Sequence, residues 1–134
     1  MAYLNKIMLI GNLTRDPELR YTPTGLGIAT FGIAVNTPIG KDEQGNRKTE
    51  TLFVDVVAFG RQAEAIAEYL KKGSLIYLEG RLRYRTWEDA NGLKKSKHEI
   101  IVEKIEFLSR KENSQNNIDN ANDYQPDEDE DIPF

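Results

Sequence analysis

Residues 52–73 read LFVDVVAFGRQAEAIAEYLKKG, and two different periodicities meet in them at Gly60. From Leu52 to Phe59 the segment is rich in β-branched and aromatic residues, as strands are. Alternation divides it into Leu52, Val54, Val56 and Ala58, which are enough to fill an interior, and Phe53, Asp55, Val57 and Phe59, which then face outward. From Arg61 to Lys72 the period changes. Ala63, Ile66, Ala67 and Leu70 stand at i, i+3, i+4 and i+7, the spacing of a short amphipathic helix, and Gly73 offers a C-cap to end it.

Working outward, the same reading finds four more strands. Upstream, Ile28 to Asn36 sets Ala29, Phe31, Ile33 and Val35 on one face, and Leu4 to Leu13 is an earlier strand that stops before the turn signal Asp16-Pro17. Downstream, Ser74 to Trp87 and Lys95 to Leu108 flank residues 88–94, where Asn91-Gly92 tolerates positive φ and marks a hairpin. Five strands with one helix between the third and fourth is the order of the OB-fold, an all-β Greek-key barrel with one short helix. Residues 1–110 are the expected domain. A fold alone assigns no function, so function has to come from particular residues.

Charge divides the chain in two. Residues 1–110 hold 17 Lys and Arg against 14 Asp and Glu, whereas residues 111–134 hold 1 against 8. The net charge of −4 therefore conceals a mildly basic body and a strongly acidic end. From Lys111 to Asp131 the apolar residues are Ile118, Ala121 and Tyr124, too few to offset the entropy of ordering, so a disordered tail is expected over 111–134.

Several chemistries are excluded by composition. With no cysteine and a single histidine, His98, there is no material for disulfides, thiol catalysis, cysteine-based zinc sites or a serine–histidine triad. Carboxylates would be the only catalytic acids, and none is paired beside a nucleotide loop or a metal motif. No enzymatic activity, catalytic residue, metal or cofactor is expected. Apolar runs near the start are short, such as Ile7 to Ile10 before Gly11 and Asn12, so neither signal peptide nor membrane span is expected and a cytoplasmic location follows.

The fourth strand carries the strongest hint of a ligand. Alternation places Arg81, Arg83, Arg85 and Trp87 on one face and Leu82, Tyr84 and Thr86 on the other. Guanidinium groups neutralise phosphates and stack on bases, and an exposed indole offers its π-face to any base. On an arbitrary strand such a stripe is more often a solvated face, with the Trp packed on arginine stems. Phe53 and Phe59 are equally readable as core or as exposed stacking rings, and Asp55 among them repels phosphate unless a cation such as Arg83 neutralises it. Lys41, Arg47 and Lys48 lie in the connection between the second and third strands and Lys94, Lys95 and Lys97 close the later hairpin; ordinary surface loops look the same, and each cluster alone is more often solvation than contact.

The tail tip, residues 127–134, sets five acids before Ile132, Pro133 and Phe134. Solubility requires acids but not that apolar end. A terminal ring with its carboxylate can anchor in an apolar pocket with a basic rim, steered there by Asp129, Glu130 and Asp131, so the tip is expected to hold partner proteins.

Taken together, several stretches resemble the bacterial single-stranded DNA-binding protein family. They are Asn5-Lys6, Gly11-Asn12-Leu13, Asp16 to Tyr21, Phe59-Gly60, Glu68 to Ser74, Glu79 to Leu82 and Asp131 to Phe134. The resemblance implies sequence-independent binding and protection of single-stranded DNA during replication, recombination and repair, assembly as a homotetramer, and recruitment of partners through the tip. It further implies base stacking at Phe53, Phe59 and Trp87, with phosphate contacts at Arg20, Arg61, Lys71, Lys72, Arg83 and Arg85. The family often carries tryptophan at the position of Phe53, and basic residues in some members at that of Asp55. The competing expectation is a protein-interaction adaptor whose barrel is only a scaffold.

Overall fold

The computed structural model describes residues 1–108. The elements run β1 (Ile7–Leu13), β2 (Glu18–Tyr21), β3 (Gly27–Lys41), β4 (Arg47–Phe59), α1 (Arg61–Tyr69), β5 (Leu75–Glu88) and β6 (Lys94–Phe107). Five of the six strands close on themselves in the order β1-β5-β6-β4-β3 and back to β1, while β2 lies along β3 outside the ring. This is the expected five-stranded OB-fold barrel with one helix between its third and fourth ring strands.

β1 is the strand that closes the ring. It pairs with β5 from Ile7 opposite Gly80 to Asn12 opposite Leu75, then reaches β3 at Asn12 opposite Ala34 and Leu13 opposite Ile33. Where it passes between the two, a Cβ on Gly11 would stand 2.5 Å from the Ala34 carbonyl oxygen, so only glycine lets the backbones approach. The other seam is parallel and short, with Asp55, Val56 and Val57 of β4 opposite Glu99, Ile100 and Ile101 of β6.

The interior holds Phe31, Ile33, Val56, Ala58, Ile76, Leu78, Ile100 and Val102, and α1 closes one end with Ala63 and Ile66. Full burial of a side chain such as Ile66 contributes on the order of 1.5–3 kcal/mol. Of the residues expected inside from β4, Val56 and Ala58 are fully buried and Val54 packs against them, but Leu52 is 48% exposed. The correction has a simple cause. β3 and β4 run beyond the barrel as a paired arm, and β4 meets β6 only from Asp55 onward, so Leu52 faces an open cleft and not a closed interior.

That arm also corrects the reading of Lys41, Arg47 and Lys48 as loop residues: pairing continues to Lys41 opposite Arg47. Lys95 and Lys97 lie in β6 as the expected strand has them, and Lys94 joins them, one residue earlier than expected. The three hairpins turn alike. In each, the side-chain oxygen of the first residue (Thr22, Asp42 or Asp89) accepts the N–H four residues on, and a glycine at positive φ (Gly25, Gly45 or Gly92) donates back to that residue's carbonyl.

The helix ends three residues earlier than its periodicity implies. Leu70 is already extended at φ −108° and ψ 153°, and its side chain turns into the core at 7% exposure. The next three N–H groups donate outside the helix: Lys71 to Ser74 Oγ at 3.0 Å, Lys72 to Asp16 Oδ1 at 2.8 Å and Gly73 to the Leu13 carbonyl at 2.8 Å. Gly73, at φ 93°, thus serves a turn docked on β1 and not a helix cap. No helix among the described residues is long and apolar enough to cross a membrane. The acidic segment 111–134, with its tip, lies outside the described residues.

Candidate nucleic-acid interface

Outward-facing side chains of β3, β4, β6 and β5 line a groove of about 580 Å³. Its floor is apolar and comes from alternate positions of adjacent strands: Ile28 and Thr30 of β3 beside Val57 and Phe59 of β4. Its walls are charged. Arg83 and Arg85 of β5 stand opposite Glu99 and Lys97 of β6, Asp55 projects from β4, and Arg15, Glu18 and Arg20 enter from the β1–β2 side.

Five cations thus face three carboxylates, and every one of the five has a carboxylate partner. Glu99 is 1% exposed, and its Oε2 accepts from Arg83 Nε at 3.1 Å, from Arg83 Nη2, and from Arg85 Nε at 3.1 Å. Asp55 Oδ2 lies 3.1 Å from Lys97 Nζ, and its Oδ1 lies 3.7 Å from Arg15 Nη1. Arg20 pairs with Glu18 at 3.0 Å. Asp55 is therefore neutralised by Lys97 and Arg15, not by Arg83 as its sequence position suggested. Arg83 is committed to Glu99.

The three candidate stacking rings occupy different places along one path. Phe59 is half-buried in the groove floor. Phe53, 70% exposed, lines a second cleft with Leu52, Leu82 and His98; Arg15 and Asp55 line both clefts, so the two adjoin. Trp87 lies past the other wall, where Arg85 Cζ sits 4.5 Å from its ring centroid. Across the strand, Tyr84 is 61% exposed and its ring lies 5.0 Å from that of His98.

The remaining cations named from the sequence are set apart. Arg81 shares the outward face of Arg83 and Arg85, opposite Ile101, but is exposed and lines none of these clefts. Arg61 opens α1, and Lys71 and Lys72 follow its end, all exposed and away from the groove. Sequence reasoning missed Arg15 and Glu99. Glu99 continues the outward alternation Lys95, Lys97, Glu99, a signal that acquires meaning only once β6 is set against Arg83.

Residues 4–108 match the model of the single-strand binding protein family. The chain belongs to that family. Among curated relatives it is 46% identical over 122 residues to the single-stranded DNA-binding protein of Helicobacter hepaticus, covering 88% of this chain and 71% of the relative. It is 50% identical over 111 residues to that of Wolinella succinogenes, covering 83% and 68%. Among solved structures, the Plasmodium falciparum single-stranded DNA-binding protein in complex with single-stranded DNA superposes with a TM-score of 0.72 at 31% identity, covering 81% of this chain and 98% of the other. A deletion mutant of the Thermus aquaticus single-stranded DNA binding protein superposes with a TM-score of 0.68 at 42% identity over 81% of this chain. This chain spans about half, 52%, of that deletion-mutant chain. The family match and the described barrel cover nearly the same residues, so the groove lies wholly within the shared domain.

Proposed function

We propose that this chain binds single-stranded DNA without reading its sequence, along the groove on the outer face of β3, β4, β6 and β5. The observation that carries the reading is an apolar floor ending in Phe59, walled by five cations and continued by exposed rings at Phe53 and Trp87. An unpaired strand exposes both phosphates and base faces, and this surface offers a partner for each. Stacking accepts every base, so affinity needs no hydrogen bond to a base edge.

In this reading Phe53, Phe59 and Trp87 stack on bases, while Arg20, Arg81, Arg83 and Arg85 meet the strand beside them. Arg61, Lys71 and Lys72 extend the basic track around the α1 side. The chain acts as a binding protein and not an enzyme, assembles as a homotetramer, and works in the cytoplasm at the nucleoid, protecting unwound DNA in replication, recombination and repair. Residues 127–134 recruit the proteins of those processes through Asp129, Glu130, Asp131, Ile132, Pro133 and Phe134.

Anisotropy of labelled strands tests this. Oligo-dT and a mixed-sequence strand of equal length are expected to bind alike, a duplex far more weakly, and affinity to fall linearly with salt on logarithmic axes. Equal binding of duplex, or no binding by the folded protein, overturns the reading and favours an adaptor whose barrel is a scaffold.

A further inference from the structure

Burying a carboxylate is costly unless it is paired, and Glu99 is the one charged side chain in the buried set of the described residues. Lys97 Nζ lies 4.0 Å from its Oε1, and Arg83 and Arg85, 37% and 40% exposed themselves, pair with its Oε2. Both give their Nε edge to the same oxygen, Glu99 Oε2. A guanidinium tethered at that edge has less freedom to swing toward a phosphate, while Arg83 and Arg85 still line the groove and remain more than a third exposed. At one end an aromatic ring already meets such a cation, with Arg85 Cζ 4.5 Å from the Trp87 ring centroid.

Charge points the same way. A phosphate approaching Arg83 and Arg85 meets two positive charges already partly cancelled by Glu99, with Lys97 shared between Asp55 at 3.1 Å and Glu99 Oε1 at 4.0 Å. Arg81, on the same face of β5, makes no ion pair among the described residues and keeps its full charge for a phosphate. We infer that Glu99 is a positioning residue of the groove, holding Arg83 and Arg85 so that their guanidinium planes meet nucleobase faces rather than phosphates. The inference rests on single-stranded DNA being the ligand. It separates two classes of cation: prepaired arginines supply salt-insensitive stacking, and unpaired ones supply salt-sensitive neutralisation.

The test is anisotropy of labelled oligo-dT with the full chain across a range of salt, with circular dichroism to verify folding. In the double variant Arg83→Lys, Arg85→Lys, the charges remain and the planes are lost. Its affinity is expected to fall about tenfold at every salt concentration with the salt slope unchanged. Arg81→Gln is expected to lose affinity mainly at low salt, with a slope shallower by about 0.7. Glu99→Gln, which retains an acceptor but not the charge, is expected to weaken binding at high salt and to expose the Nε–H NMR signals of Arg83 and Arg85 to solvent exchange. Wild-type affinity in the double lysine variant, or a loss accompanied by a shallower slope, overturns the inference. So does Glu99→Gln binding as tightly as wild type at high salt. If Glu99→Gln fails to fold, the arginine variants still decide. Failure of the wild type itself to bind oligo-dT overturns the single-strand reading, a result distinct from any of these.

Discussion

The two ends of the β5–β6 ribbon make an instructive pair. Toward the hairpin its outward side chains include Arg83, Arg85, Lys97 and Glu99; past Gly80 they are Tyr77, Glu79, Lys104 and Glu106. Both ends are ion-paired. Beyond Gly80, Lys6 of the β1 approach lies 2.9 Å from Glu79 and 3.6 Å from Glu103, and Lys104 lies 3.6 Å from Glu106. The balance differs, however. The groove sets Arg15, Arg20, Arg83, Arg85 and Lys97 against Glu18, Asp55 and Glu99, while the flank sets Lys6 and Lys104 against Glu79, Glu103 and Glu106. A small excess of one sign, not the number of charges, decides which end attracts a polyanion.

The divide between the two ends lies at Gly80. Register shifts there, with Glu79 opposite Lys104 but Gly80 opposite Val102, so Glu103 is the extra residue of a bulge. A Cβ on Gly80 would stand 2.2 Å from the Ile101 carbonyl oxygen and 2.9 Å from Ile100 Cγ2. Because the nearer contact is backbone, no rotamer change relieves it. Gly80→Ala is expected to cost about 3 kcal/mol, read as a lower urea midpoint, the largest effect among these comparisons. An unchanged midpoint would show that β5 and β6 can separate at the bulge, and that the close approach does not hold the divide.

Removing one carboxylate from each end sharpens the contrast. Asp55→Asn releases Lys97 and Arg15 from their shared partner, raising the groove's excess by one charge. Oligo-dT affinity is expected to rise several-fold at low salt, with the salt slope steeper by about 0.7. Glu103→Gln makes the same change of charge on the flank and is expected to leave both quantities where they were. Equal responses from the two variants would mean that binding follows net charge and is indifferent to the groove.

How much of this was legible in the sequence depends on how local each feature is. Phe31 and Ile33, Val56 and Ala58, and Ile76 and Leu78 announce themselves by alternation within their own strands, and those strands make the barrel. β2 is four residues, Glu-Leu-Arg-Tyr, too short for any period to emerge. The β3–β4 arm reads as loop because Thr37, Pro38, Thr49 and Glu50 are not core residues; pairing across the hairpin holds them extended. Helical spacing ran through Leu70, yet burial of its side chain and the acceptors offered by Leu13, Asp16 and Ser74 end the helix at Tyr69. Phe53 and the arginine stripe were visible as candidates. The partner of Arg83 was not, because Glu99 meets it only through the register of two strands joined by a turn and closed by the parallel seam with Asp55.

The smallest expected effect concerns protons on the flank. The hydrogen bond from Tyr77 and then that from Lys6 hold the Glu79 carboxyl below its usual 4.5. The same contacts raise Lys6 above 10.5 and Tyr77 above 10.0, in both cases chiefly through the hydrogen bond to Glu79. A lowered carboxylate means that the unfolded chain binds more protons, so this contribution is present above pH 4.5 and is lost as pH falls through the folded value. For the raised Lys6 and Tyr77 the sign reverses: their contributions are present below 10.5 and 10.0 and are lost as pH rises through the folded values. Glu79→Gln is therefore expected to melt slightly below wild type at neutral pH, with the gap closing in acid and again in strong alkali. The groups are partly exposed and screened by solvent, so the gap is small. A gap that persists unchanged into acid would show that Glu79 acts through packing and not through its charge. Since the variant changes only the flank, the salt slope for oligo-dT is expected to stay at the wild-type value, and a steeper slope would place part of the DNA path on that side of Gly80.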